Sequence, residues 1–364
     1  MTKKITILFF TLLPLISFTQ HESLAKKAEE DDLNYDTNYI DSHRERLTLR
    51  TFLTFKSDQV KQQGGNKREL LDYQVNRPFS IGIGFSYKWL NLSATLFTPF
   101  PNWDKKSKGV SSHFDLRITT NGRSWVTDFW AQKFGGYYLA NTKSVFPFWN
   151  KPGIYYQRPD INTTSSGGIV YYNIRHKKFS FKAIFSQTER QLKSKGTPLI
   201  AMNWTGFEMN THGGITGTAN ASTDSALTPY VIAMNFKPVE RITKLQTATL
   251  GLGVGYAYTY VYKEHWFFTL MGTVFLNSQS HWYYSAAAPN GINVIKGSAN
   301  MMWRGAMGYN SHSNYFGLTY VFNNISLGQS FGSTMDYNFS TVNFIYAHRI
   351  DVRGKKKRER KAPY

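Results

Sequence analysis

An esterase or acyltransferase needs a hydroxyl nucleophile, a histidine base within hydrogen-bond reach and a third group that orients the base. The candidate bases are scattered along the chain, among them His113, His176, His212, His265, His281, His312 and His348. None of these has a sequence neighbour at a spacing that demands catalysis or metal binding. We therefore predict no catalytic residue, no metal site and a protein that is not an enzyme. A lipid-modifying or hydrolytic enzyme stays open as the alternative function.

A glycine run, Gly251-x-Gly253-x-Gly255, resembles part of a dinucleotide-binding fingerprint. That fingerprint must lie in a turn between a strand and a helix, and no helical pattern follows here. Glycines at a period of two on one strand face leave room for a bulky neighbour or for sheet curvature. We therefore interpret the run as structural and predict no cofactor.

The most informative polar residues are charges that share the polar face of alternating segments. They are Arg50, Lys88, Asp115, Arg117, Asp128, Lys182, Glu189, Arg190, Arg304 and Arg349. If these segments form the wall of a barrel, the charges point into its lumen, where each must be hydrated or paired. They would then either line a water-filled path, which with this excess of bases favours anions, or interlock and fill the lumen. We favour the interlock.

The segments that position these charges alternate with a period of two. In 80–89, for example, large apolar side chains at odd positions oppose small or polar ones at even positions. Similar runs lie in 46–56, 114–119, 179–186, 250–260, 300–322 and 342–350. This period is typical of strands with one apolar face. No apolar run after the first residues approaches the 18 that a membrane-spanning helix needs, so any membrane crossing must use strands.

The connections between these segments fall into two classes. Tight ones include Asn121-Gly122 and Lys263-Glu264, whereas long ones lie at roughly 57–78, 99–111, 134–167, 188–228, 278–297 and 324–337. Outer-membrane barrels alternate short periplasmic turns with long extracellular loops, which requires an even number of strands. We predict an all-β fold, a closed antiparallel transmembrane β-barrel of about 12 strands, or 14 if the segments near 199–206 and 229–236 are both strands.

The ends of the chain suggest export. Residues 1–19 have a basic start, an apolar stretch and a small-x-small cleavage site, which predicts a signal peptide. Residues 20–45 form an acidic arm that we expect to be mostly disordered in the periplasm, 46–351 form the barrel, and 352–364 form a basic periplasmic tail. We therefore predict an integral protein of the cell outer membrane, reached through the periplasm.

The composition agrees with this location. Among 364 residues 16% are aromatic, yet the mean hydropathy is −0.40 and there is no cysteine. Lipid-facing rings that alternate with polar lumen residues produce this combination. The net charge of +20 would suggest nucleic acid for a soluble protein, but an exported one meets outer-membrane lipid and lipopolysaccharide instead. A soluble β-sandwich or propeller is the structural rival, which the length of several strands and the aromatic outer face disfavour.

Several segments resemble the bacterial domain of unknown function 4421. They are Tyr35 to Ile40, Pro78 to Trp89, Phe179 to Ser194, Gly255 to Thr259 and Gly308 to Asn310. The resemblance covers most of the chain after residue 20. It implies an outer-membrane-type β-barrel without an established activity and assigns no catalytic residue. We expect a narrow channel or a membrane-embedded component of an envelope assembly, with envelope proteins open as partners.

Overall fold

The computed structural model describes residues 33–64, 70–76, 79–87, 90–96, 104–147, 149–212, 214–216, 242–285, 288–330 and 333–352. The predicted signal peptide, Lys88, the segment 229–236 and nearly all of the basic tail lie outside these ranges. Within the described ranges, no helix has the length and apolar character needed to cross a membrane.

The described residues form fifteen strands and three short helices. The strands are β1 (Ile40–Ser42), β2 (Arg46–Gln63), β3 (Leu70–Val75), β4 (Phe79–Tyr87), β5 (Leu90–Leu96), β6 (Ser112–Asn121), β7 (Trp125–Leu139), β8 (Tyr156–Asn173), β9 (Glu189–Gln191), β10 (Lys195–Asn210), β11 (Ile242–Tyr262), β12 (Trp266–Ser285), β13 (Ala288–Asn310), β14 (Asn314–Ser330) and β15 (Ser333–Asp351). The helices are α1 (Lys105–Lys108), α2 (Thr142–Val145) and α3 (Phe181–Phe185).

The strands close into an antiparallel barrel, which confirms the predicted fold class. Strands β4 to β8 and β10 to β15 follow one another around the wall, and β2 pairs with both β15 and β4 to close the ring. Counted along the path through β4, β5 and β6, the ring contains twelve of the described strands. Strand β3 also pairs with both β2 and β7, and the shorter path through β3 gives a ring of ten strands.

The two ends of the barrel differ. We term the end that holds the connections 122–124, 263–265 and 311–313 the turn end, and the opposite end the loop end. The connection between β11 and β12 is the tight hairpin that the sequence predicts. Its two central residues, Lys263 and Glu264, have φ of 49° and 60°, as a type I′ turn requires.

The glycine run lies on the inner face of β11 and is structural, as predicted. A Cβ added to Gly251 would lie 2.0 Å from Oδ1 of Asn277, and one added to Gly253 would lie 2.6 Å from the ring of Phe275. The missing side chains thus make room for inward-facing neighbours on β12.

Four predicted segments are wrong in detail. The run 179–186 is not a wall strand but contains α3, because its apolar residues on both faces are buried and none can face lipid. The segment 188–228 is not one extracellular loop, because it contains β9 and β10. Much of 134–167 and 278–297 is strand as well. These stretches carry hydroxyl, amide and glycine residues, which weaken the apolar alternation on which the prediction depended.

The connection between β8 and β10 folds into the turn end of the lumen. Its side chains Phe179, Phe181 and Ile184 are buried against inward residues of the wall such as Tyr171 and Met302. The N-terminal segment joins it, since β1 pairs with β9. We term residues 33–45 and 174–194 together the plug. Residues 33–45 are therefore folded, contrary to the expectation of a disordered arm.

The loop end of the lumen is filled by apolar side chains of the wall. One buried cluster there, which we term the loop-end cluster, includes Val60 of β2, Tyr73 of β3, Tyr137 of β7, Tyr337 of β15 and Phe146 after α2. Apolar atoms at packing distance exclude water from such a cluster. The described part of the lumen is thus closed by the plug at one end and by this cluster at the other.

Candidate functional site

Between the plug and the wall lies a chamber of about 110 Å³. Its lining comes from inward positions of β2, β5, β6, β7, β13, β14 and β15, and from two plug residues, Phe185 and Gln187. Inward positions are every second residue of a strand, so alternating residues of one strand line the chamber together. Arg50, Phe52, Thr54 and Lys56 of β2 are an example.

A buried carboxylate organises one side of the chamber. Asp128 of β7 accepts two hydrogen bonds from Arg117 of β6, from Nε at 2.8 Å and from Nη2 at 2.7 Å. It accepts a third from Nη2 of Arg304 of β13 at 2.7 Å. The two-point contact with Arg117 fixes the guanidinium in the plane of the carboxylate, which is the strongest geometry for such a pair.

The other side of the chamber joins the wall to the plug. Nη1 of Arg50 donates to Oε1 of Gln187 at 3.0 Å and to the carbonyl oxygen of Ser186 at 3.3 Å. Next to it, Lys56 pairs with Asp115 of β6. Arg50 is buried, so its charge is solvated largely by oxygen atoms of the plug and of the wall. The wall and the plug therefore depend on each other here.

Further ionic contacts fix the plug. Glu189 of β9 accepts hydrogen bonds of 2.9 and 2.6 Å from the guanidinium of Arg123, in the turn between β6 and β7. Arg349 of β15 donates from Nε to the carbonyl oxygen of Gln187 at 2.8 Å. Within the plug, Arg190 donates from Nη2 to Asp41 at 3.0 Å. The plug is thus attached to the wall at β2, at β15 and at the turn between β6 and β7.

The structure places the predicted charged residues in three groups. Arg50, Asp115, Arg117, Asp128 and Arg304 all line the chamber. Lys182, Glu189 and Arg190 lie on the plug instead of on the wall, because Lys182 is part of α3 and the other two are part of β9. Arg349 lies on the wall at the turn end and contacts the plug, and Lys88 is outside the described residues.

Sequence reasoning missed two charged residues of this region. Lys56 shares the inward face of β2 with Arg50, so the alternation of β2 could have identified it. Arg123 lies in a turn, where the two-residue alternation of a strand cannot predict whether a side chain points into the lumen. Its pairing with Glu189 joins positions 66 residues apart, and nothing local indicates it.

A buried carboxylate also lies next to the loop-end cluster. Asp58 of β2 accepts hydrogen bonds from the hydroxyl groups of Tyr137 and Tyr337, and all three residues are almost completely buried. The hydroxyl of Tyr137 also contacts Oγ1 of Thr163 at 2.7 Å. Because buried polar groups need partners, this set constrains how β2, β7 and β15 pack.

Substitution of Tyr337 tests this constraint. We expect Tyr337→Phe to lower the free energy of unfolding by about 1–3 kcal/mol, because it removes one donor from a buried acceptor. The measurement is urea unfolding of the folded barrel in lipid or detergent. Tyr346→Phe, at an exposed position of β15, is the matched control and should change little. Equal stability of both variants would show that the Asp58 contacts contribute nothing.

One cluster at the turn end has metal-ligating residue types. Ligand atoms of Asp41, His43 and His312 lie within 4.8 Å of one another. Burial, followed by the charge of Arg349, lowers the pKa of His43 to about 2, and Arg46 and Arg190 add to the effect of Arg349. The same three guanidinium groups repel a metal cation, so we assign no metal to this cluster.

Comparisons with known proteins identify a family and several solved structures of low similarity. The sequence profile of the family described as Domain of unknown function (DUF4421) matches residues 34–349. No curated protein matches the chain. Among solved structures, the chain is similar to the translocator domain of autotransporter NalP from Neisseria meningitidis, at 8% identity and a TM-score of 0.32, over 91% of this chain and 96% of that one.

Two further solved structures have similar coverage. The beta domain of the Bordetella autotransporter BrkA has 8% identity and a TM-score of 0.31, over 81% of this chain and 98% of that one. The P. putida toluene transporter TodX has 8% identity and a TM-score of 0.23, over 85% and 91%. The closed barrel of this chain is established by its own strand pairing, and these likenesses add no function to it.

Proposed function

This chain belongs to the family described as Domain of unknown function (DUF4421), and we propose that it is an integral outer-membrane barrel whose lumen is held closed by its own chain. In this proposal it is not an enzyme and not an open pore, but a membrane-embedded component of the cell envelope. The single observation that carries the proposal is the plug, which lies in the turn end and contacts β2, β15 and the turn between β6 and β7.

The outer face of the barrel supports the membrane location. Large apolar side chains face outward along the turn-end half of the long strands, with exposed fractions of 69% for Leu252, 68% for Val254 and 72% for Leu276. Tyr258, Tyr260 and Trp266 follow toward the turn end and are also exposed. A band of aliphatic residues bordered by aromatic ones is typical of a barrel in lipid.

Substitution within this band tests the membrane location. Leu252→Arg places a charge on the lipid-facing side, and we expect it to destabilise the barrel by about 2–4 kcal/mol. The measurement is unfolding in urea after insertion into lipid vesicles. The matched control is Ser280→Arg, on the part of β12 beyond the band, where we expect about 0–1 kcal/mol. If both variants are equally stable in lipid, the band does not face a membrane.

Electrical recording tests the closed lumen. Both ends of the described lumen are filled, one by the plug and one by the loop-end cluster. We therefore expect the purified protein to give no steady conductance after insertion into planar bilayers. Verified insertion without conductance would support the proposal, whereas a steady open-channel current from the unmodified protein would overturn it and favour the narrow channel.

The enzymatic alternative has less support. Thr247 and His281 form a hydroxyl–imidazole contact of 3.0 Å, but both are buried on the inner face of the loop-end half. A lipid substrate would have to pass the wall to reach them. A comparison of lipid A and phospholipid profiles from cells with and without the protein tests this alternative, and we expect identical profiles.

The proposal includes the route and the orientation of the barrel. The predicted signal peptide directs the chain to the periplasm, and the turn end faces the periplasm. The barrel wall contacts outer-membrane lipid and lipopolysaccharide. The rim of the plug at this end is basic and includes Arg175, Lys177 and Lys178. An envelope protein with an acidic surface is the partner chemistry that this rim favours.

A further inference from the structure

The chamber has an excess of positive charge. Four cationic side chains line it, against two carboxylates, so the lining has a net charge of +2; the six residues are Arg50, Lys56, Arg117, Arg304, Asp115 and Asp128. An uncompensated charge is costly where water is scarce. The chamber therefore favours occupation by an anion.

One donor in the lining has no acceptor. Nε–H of Arg304 lacks a hydrogen-bond partner in the described part of the chain, although Nη2 of the same side chain donates to Asp128. The side chain is 5% exposed and lines the chamber, with its guanidinium 5.5 Å from the ring centre of Phe185. Because an unsatisfied buried donor is unfavourable, an acceptor atom in the chamber would stabilise this arrangement.

One acceptor in the lining also has no donor. Oδ1 of Asp115 lacks a hydrogen-bond partner among the same residues, while Oδ2 pairs with Lys56. A simple anion such as chloride or sulfate could accept from Arg304 but would leave Oδ1 of Asp115 unsatisfied and would be repelled by it. An oxyanion that keeps a proton offers both an acceptor for arginine and an O–H donor for the carboxylate.

We propose that the chamber binds a small protonated oxyanion, for which inorganic phosphate is the simplest example. The cavity of about 110 Å³ exceeds by several times the roughly 10–15 Å³ that one water needs, which leaves room for a tetrahedral ion with its waters and not for a large ester. The site goes beyond the proposed function, because it needs the folded barrel and plug but neither a membrane nor a partner.

Equilibrium dialysis of the purified full-length protein against radiolabelled inorganic phosphate tests this proposal. Long equilibration is needed because both ends of the lumen are filled. We expect one phosphate bound per chain at saturation, with sulfate at least about tenfold weaker as a competitor because it offers no donor to Asp115. An absence of binding at millimolar phosphate would overturn the proposal, as would competition by sulfate that equals competition by phosphate.

Two variants locate the site. Arg304→Gln should weaken phosphate binding by about tenfold or more, because it removes a charged donor. Lys133→Gln, at an exposed position of β7 outside the chamber, has the same change of charge and should bind like the native chain. Equal loss in both variants, or in neither, would refute the location. If Arg304→Gln does not fold, Asp115→Asn is the second variant, and it should remove the preference for phosphate over sulfate.

Discussion

Glu189→Ala is expected to release the plug and to raise the rate of trypsin cleavage after Lys182 by about a hundredfold or more. Lys182 lies in α3 and is buried, so the protease reaches it only when the plug leaves the lumen. The substitution leaves the Arg123 guanidinium buried without its carboxylate, and breaking a buried pair in this way costs about 3–5 kcal/mol. Cleavage follows the population of the open form when opening is fast. Mass spectrometry of the peptides measures the rate.

An exposed ion pair of the plug provides the control. Asp36 lies 3.7 Å from Lys178, and both side chains are partly exposed. Asp36→Asn should raise cleavage after Lys182 by less than about fivefold, since exposed ion pairs contribute little to stability. Equal cleavage of the Glu189 and Asp36 variants would contradict the role assigned to the Arg123–Glu189 pair.

Asp128→Asn is expected to lower the stability of the whole barrel. Asp128 is the shared counter-ion of Arg117 and Arg304, and its loss leaves two cations in the chamber with fewer compensating charges. We expect the free energy of unfolding to fall by about 3–5 kcal/mol, as for other broken buried ion pairs. Urea unfolding in lipid vesicles, followed by tryptophan fluorescence, measures the change.

The partly exposed pair of Glu208 and Lys244, 3.3 Å apart on β10 and β11, gives the matched comparison. Glu208→Gln is expected to cost about 0–1 kcal/mol. If Asp128→Asn is no more destabilising than Glu208→Gln, the arginines are solvated by water in the chamber and the lumen is not closed as described.

The sequence contains enough information for the barrel but not for the plug. The alternation in β11, with Leu250 and Leu252 outward and glycines inward, indicates which face of the strand meets lipid. This prediction requires a difference in polarity or size between the side chains of the two faces. In 179–186 both faces are buried, so the apolar alternation resembles a wall strand although the residues form α3.

The lumen charges were partly predictable for the same reason. The alternation identified Arg50, Arg117 and Asp128 as inward-facing, because a strand has only two faces. The alternation could not show which of these charges form ion pairs. The partners Asp128 and Arg304, for example, are 176 residues apart, and their contact depends on the closure of the ring. Nor could the alternation show that the plug accepts hydrogen bonds from Arg50.

Closure of the lumen by the chain itself predicts that a lumen position is inaccessible to reagents in solution. The chain has no cysteine, so each substitution to cysteine introduces a single thiol. Thr319→Cys places the thiol on the chamber wall. Lys177→Cys places it on the exposed rim of the plug and serves as the reference. We predict that a sulfonate-bearing thiosulfonate reagent modifies Cys at 319 at least about a hundredfold more slowly than Cys at 177. Adding Glu189→Ala should remove most of this difference in rate, because a broken buried ion pair destabilises the closed position of the plug. Modification of both positions at the same rate in the otherwise native chain would contradict the closed lumen.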